Sequence, residues 1–152
     1  MECSCCGQDR DAGEVAALRC HAEVTVCRGC IEWLRQRAGT LDVTPTLPVR
    51  DMAEAIRFYE AAGFAIRTYD DGFAFVHYAD ASVFDLDHND QIDPTRNGAG
   101  CYIIVGDADA WHDRLTAAAL PVTSLADMPW GMREFALTDP SGNRIRIGHN
   151  SG

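Results

Sequence analysis

Four cysteines are spaced for a metal ion. Cys3-Ser4-Cys5-Cys6-Gly7 and Cys27-Arg28-Gly29-Cys30 contain two C-x-x-C knuckles separated by twenty residues, the two-plus-two arrangement that gathers four thiolates round a tetrahedral Zn²⁺. Cys3, Cys6, Cys27 and Cys30 are the expected ligands, while Cys5, Cys20 and His21 stay open as substitutes or as groups with a second role. A closed four-thiolate site has no free position for catalysis, so the expected zinc is structural. A second chemical signal is Met128-Pro129-Trp130-Gly131-Met132-Arg133-Glu134-Phe135-Ala136-Leu137-Thr138-Asp139-Pro140-Ser141-Gly142-Asn143. There an indole precedes an apolar strand, and the strand runs into a turn with Pro second and Gly fourth. That places Trp130 at a sheet edge, where a flat ring either meets a ligand or folds into the core.

Composition narrows the function classes. With 13 basic and 23 acidic residues the net charge is -10, which repels nucleic-acid phosphates and anionic lipid and attracts cationic small molecules. No apolar run approaches the roughly 18 residues that span a bilayer. Met1-Glu2-Cys3 lacks the positive and apolar regions of a secretory leader, so a cytoplasmic chain with reduced thiols is expected. Six of the seven cysteines fall in the first thirty residues, with Cys101 far downstream, and reduced, clustered thiols read as a metal site before a disulfide framework.

The elements that must hold the knuckles are short. Val24-Thr25-Val26 alternates like a strand feeding Cys27, and Ile31-Glu32-Trp33-Leu34-Arg35-Gln36-Arg37 is helical, its N-terminal dipole favouring thiolates. Knuckle, hairpin and helix make a treble-clef module over residues 1–40, too small to bury much of a core without its metal. Residues 3–34 resemble the small four-cysteine zinc domain at the N-terminus of a bacterial Clp unfoldase subunit, in the C-x-x-C-G start and the C-x-x-C-Ile end.

The rest of the chain is written twice. Pro45-Thr46-Leu47-Pro48-Val49-Arg50-Asp51 precedes a helical stretch, and so does Cys101-Tyr102-Ile103-Ile104-Val105-Gly106-Asp107; the offset of 56 residues lays Val49 on Val105, Asp51 on Asp107, Tyr59 on Leu115 and Ala62 on Ala118. Each Asp is an expected N-cap, with Glu54 completing a capping box. Ile56, Tyr59 and Ala62, then Ala108, Trp111, Leu115 and Ala118, recur at helical spacing and should face a sheet. Strand signals follow at 64–69, 72–78 and 82–87, then at 132–137 and 144–147 with a weak third at 122–125. The expected fold is α+β: two βαβββ modules forming an open cleft over residues 43–149, joined to the zinc module by residues 38–42.

Residues 43–148 resemble the vicinal oxygen chelate superfamily and, within it, the bleomycin resistance proteins. The match is carried by Pro45-Thr46-Leu47-Pro48-Val49-Arg50-Asp51, Phe58-Tyr59 with Gly63-Phe64, Asp70-Asp71-Gly72-Phe73-Ala74, and above all Pro129-Trp130-Gly131 with Arg133-Glu134-Phe135-Ala136-Leu137 and Asp139-Pro140. Metal-dependent enzymes of the superfamily draw ligands from positions that here hold Thr44, Asp85, Gly100 or Cys101, and Arg146. One carboxylate, at most one thiol and an arginine make a poor cation site, so no enzyme is expected. His77 and His88 read as surface or satisfied histidines. The resemblance implies stoichiometric sequestration of a bleomycin-type drug, with its planar tail between Phe73 and Trp130 and the wall widened by Phe75 and Tyr102. Asp70, Asp71, Asp85 and Asp87 would supply the field for a cationic tail. It also implies a homodimer with Pro45 at the hinge of an exchanged N-terminal arm. Two rivals are a metal-dependent enzyme of glyoxalase or dioxygenase type, and a metabolite-sensing regulator that recruits a protein partner through the zinc module. Nucleic-acid binding through Arg28, Arg35 and Arg37 is weaker, because the patch is small on an acidic chain.

Overall fold

Two short V-x-D segments start the two helices that organise the larger part of the molecule. Asp51 accepts from the Glu54 N–H at 2.9 Å and starts α2 (Met52–Ala61); Asp107 accepts from the Ala110 N–H at 3.0 Å and starts α3 (Ala108–Ala117). Each cap satisfies a donor that the first turn leaves without a helical partner. The computed structural model describes residues 1–18, 21–38 and 43–152, and the chain divides into two units, Met1–Val43 and Thr44–Gly152.

In the first unit β1 (Val15–Leu18) and β2 (His21–Cys27) pair antiparallel, and α1 (Arg28–Arg37) follows β2 without a break. The N-terminal knuckle docks on β2: Ser4 N–H donates to the Thr25 carbonyl at 2.7 Å, and Thr25 N–H returns to Ser4 Oγ at 3.0 Å. No described residue of α1 is buried. Cys20 and most of the expected linker lie outside the described residues.

The second unit is the βαβββ unit twice over. In the first copy β3 (Thr46–Val49), β4 (Ala65–Thr68), β5 (Phe73–Tyr78) and β6 (Ala81–His88) lie in the order β3-β6-β5-β4, with β3 parallel to β6. In the second, β7 (Gly100–Ile104), β8 (Ala126–Asp127), β9 (Met132–Thr138) and β10 (Arg144–Asn150) lie in the order β7-β10-β9-β8, with β7 parallel to β10. One apolar core takes Val49, Ala74, Val76, Phe84 and Leu86 from the first sheet, and Phe135, Leu137, Ile145 and Ile147 from the second, together with Tyr59, Trp111 and Leu115 of the helices. Trp111 is core, as its helical spacing predicts. Alternation then turns the other face of each sheet outward.

Two expectations are corrected. The weak strand expected at 122–125 is interrupted: Val122 bridges Leu137, the Thr123 N–H reaches the Ala136 carbonyl, and the ladder resumes only at Ala126–Asp127. Ala118 is exposed, unlike its repeat partner Ala62, although each is the C-cap of its helix and each is followed by a residue of positive φ.

The Asp-Pro-Ser-Gly-Asn turn does more than reverse the chain. Buried Asp139 accepts from the N–H groups of Ser141 and Asn143, from Asn143 Nδ2, and from the hydroxyl of Tyr59 at 2.8 Å in the other module. Asn143 Nδ2 also donates to the Pro48 carbonyl, and Ser141 Oγ accepts from Arg50 N–H. Gly142 sits at φ 83°, and a Cβ there would run into the Pro94 backbone.

Candidate functional site

The four expected ligand sulfurs converge. The Sγ atoms of Cys3, Cys6, Cys27 and Cys30 all lie within 4.8 Å of one another, with Cys6 and Cys27 at 3.9 Å. Zn–S bonds of about 2.3 Å in a tetrahedron set S···S spacings near 3.8 Å, so the set fits that ion. Cys27 N–H donates to Cys3 Sγ at 3.2 Å, and this contact leads the effects that lower the Cys3 thiol to about 6. Cys27 is lowered too, chiefly by the backbone at Cys30. Cys30 is pushed up, first by the neighbouring Cys5 sulfur, then by burial and the remaining thiols. A thiolate at Cys30 therefore needs a cation among the sulfurs. Cys5 is exposed beside this group, and His21 is exposed and paired with Glu23.

The expected ligand-binding residues lie on the outward faces of the two sheets. On the first, Phe73 and Phe75 alternate with buried Ala74 and Val76, their rings edge-to-face at 5.4 Å. Tyr69 extends the row at 6.5 Å from Phe75, and the Arg67 guanidinium lies 4.6 Å over the Phe75 ring. Asp85 faces Phe75 across the ladder and Asp87 faces Phe73. Asp70 accepts from Gly72 N–H in the preceding turn, and Asp71 is exposed beside it. Asp85 Oδ1 is buried with no hydrogen-bond partner; that desolvation raises its carboxyl, against a smaller lowering by His77.

The second outward face carries Trp130, 60% exposed, and Tyr102. Both are tied to a residue the sequence reading left out. Glu134, 3% exposed in the apolar strand β9, accepts from Tyr102 Oη at 2.8 Å and Trp130 Nε1 at 3.1 Å on one oxygen. Its other oxygen accepts from Arg146 Nη2 at 2.7 Å and Nε at 3.1 Å. The Arg146 guanidinium lies 4.6 Å over the Tyr102 ring and 5.9 Å from that of Trp130. Burial opposes ionisation of Glu134, but the bonds from Tyr102, Arg146 and Trp130 together outweigh it and hold the carboxyl below its usual value. A charged residue inside the run Glu134-Phe135-Ala136-Leu137 was the signal available in the sequence. Among the described residues, no ring contact, hydrogen bond or ion pair joins Phe73 and Phe75 to Trp130 and Tyr102.

The Glyoxalase/Bleomycin resistance protein/Dioxygenase superfamily profile matches residues 41–147. The chain belongs to this superfamily. A bleomycin resistance protein from Geobacillus stearothermophilus is 31% identical over 123 residues, spanning 69% of this chain and 93% of its own length. The crystal structure of a bleomycin-binding protein complexed with bleomycin shares the fold, with a TM-score of 0.67 at 24% identity over 73% of this chain and 99% of that one. The bleomycin-binding protein from bleomycin-producing Streptomyces verticillus, solved with copper(II)-bleomycin, gives a TM-score of 0.62 at 25% identity over 74% of this chain and 97% of that one.

The positions that resemble metal sites of the superfamily's enzymes do not assemble one here. Thr44 is exposed, Arg146 is committed to Glu134, and Cys101 turns inward against the core, where burial raises its thiol to about 11. Asp85 alone of the four offers an outward carboxylate. Among the described residues, one other group, Asp107, Asp109 and His149, brings ligand atoms within 4.8 Å. Each is engaged: Asp107 caps α3, Asp109 holds Arg133 through two bonds of 2.9 Å, and His149 Nδ1 accepts from Ala108 N–H.

Proposed function

We propose that this protein confers antibiotic resistance by sequestering a bleomycin-type drug without turning it over. The drug's planar heteroaromatic tail lies between Phe73, backed by Phe75, and Trp130, backed by Tyr102. Such stacking adds about 0.5–1.5 kcal/mol per ring pair beyond area burial. Asp70, Asp71, Asp85 and Asp87 attract the cationic end, which chiefly speeds encounter and sets specificity. The observation that carries the reading is an exposed indole anchored in place on one sheet, with a second aromatic row beside unpaired acid on the other. The names of the relatives support it. So does the residue set at the superfamily's metal positions, where Arg146 offers a cation no ligand atom and no nucleophile meets a base.

Because both site faces point away from the shared core, two copies are needed to close a cleft, one giving the Phe73 wall and the other the Trp130 wall. Zn²⁺ held by Cys3, Cys6, Cys27 and Cys30 supplies the cross-link that lets the small N-terminal unit fold. A regulatory second reading draws support from Ile31, Trp33 and Leu34, which leave α1 with exposed apolar surface able to take a protein partner.

Titration of the purified protein with bleomycin and with its copper complex, followed by tryptophan fluorescence, tests the proposal. Saturation at one drug per chain with the drug recovered intact supports it. No binding, or drug consumption with turnover, ends it. If removing residues 1–40 leaves that affinity unchanged while abolishing a protein contact, the regulatory reading takes over the N-terminal unit.

A further inference from the structure

Glu134 is a buried carboxylate on which donors from three separate segments converge: Tyr102 on β7, Trp130 in the turn before β9, and Arg146 on β10. We infer that Glu134 is a positioning residue for the ligand. It holds the indole of Trp130 and the Arg146–Tyr102 stack as a preformed, charge-neutral platform for the planar aromatic part of the guest, leaving the cationic part to the acid-rich face of the first sheet. The inference rests on the trapping reading above.

Three features carry it. An indole that is 60% exposed has little packing to hold its rotamer, and among the described residues the bond to Glu134 is the one hydrogen bond its ring makes. A ring held before the ligand arrives loses little freedom on binding. Second, the carboxylate cancels the guanidinium charge; an unpaired Arg146 would repel a cationic guest. Third, the fold keeps room for the arrangement: Gly148 lies against it, and a Cβ there would collide with the Tyr102 hydroxyl and come within 2.8 Å of Glu134 Cβ. A carboxylate is required because it offers acceptors on both sides, whereas an amide has one oxygen, which the two charged Arg146 donors claim, leaving an N–H₂ that gives the indole no acceptor.

The test uses the full-length protein and Glu134→Gln, with a second variant in which Trp130 is replaced by benzothienylalanine, which keeps the bicyclic ring and lacks the N–H. In the free protein, the Trp130 indole N–H resonance, identified by its loss in the second variant, should exchange with water about tenfold faster in Glu134→Gln. Bleomycin affinity should fall about tenfold in each variant, through faster dissociation, and combining the two changes should cost no more than the larger one alone. Unchanged indole exchange in Glu134→Gln overturns the inference. So does a benzothienylalanine protein that binds bleomycin like the wild type, a result that needs no folded Glu134 variant. An indole released by Glu134→Gln in a protein that never binds bleomycin upholds the clamp and removes the trapping reading instead.

Discussion

Trp130 and Asp85 carry the ligand hypothesis at the residue scale, one by what it exposes and one by what it lacks. Truncating a central aromatic anchor removes its stacking area and its clamp together, so Trp130→Ala is expected to weaken bleomycin binding by roughly 2 kcal/mol or more. Calorimetry should show this with the fold intact, since the ring supports no core. Asp85 behaves oppositely. Its carboxyl is raised by burial, so the folded chain binds the extra proton and stability falls as pH climbs from the ordinary carboxylate pKa to the raised one. The cost persists at neutral pH, and Asp85→Asn should raise the melting temperature by about 2–5 °C while weakening capture of a cationic drug. Glu134 is depressed, so its stabilisation is whole at neutral pH and is lost as pH falls below the usual carboxylate value and through its own lower one. Thermal melts across the acid range should show that loss in the wild type and not in Glu134→Gln. Trp130 and Asp85 were legible in the sequence as candidates. Glu134 was legible only as part of a motif, because a donor set drawn from three segments has no linear spacing.

At the scale of elements, the turn at Asp139 and the cysteine knuckles do most to hold segments together. Tyr59→Phe removes one of the four donors on the Asp139 side chain and is expected to cost about 1–2 kcal/mol, read from denaturant melts at unchanged m-value. The Tyr59 hydroxyl is raised well above its usual value, first by burial and then by Asp139, so this bond persists at pH values where a free phenol would ionise. In the N-terminal unit, Cys27→Ser or a strong chelator should abolish one equivalent of zinc per chain by metal analysis and unfold that unit, leaving the second unit's melting transition in place. The helix starts and the period of the strands are legible in the sequence, since capping and alternation are local. The broken strand near Val122 was not: its pairing with Leu137 and Ala136 is set by partners on β9, not by its own propensities.

For the whole molecule, the proposed cleft requires a second copy because its two walls lie on outward faces, and the charge of -10 governs how fast a cationic drug arrives. Sedimentation should find two chains and two drug molecules in the saturated complex. Association should slow as salt rises, while dissociation changes little, because screening acts on the encounter. A saturated monomer would contradict the shared cleft. The internal repeat, the two capped helices, the cysteine spacing and the family motif are all properties of neighbouring residues, and the amino-acid order alone determined them. Which faces of the sheets remained for a ligand, that Cys101 turned inward, that Asp85 lost its partners and that a buried glutamate gathered Tyr102, Trp130 and Arg146 were decided only when distant strands were paired. Burial and hydrogen-bond satisfaction depend on which segments meet in space, and no local rule encodes that.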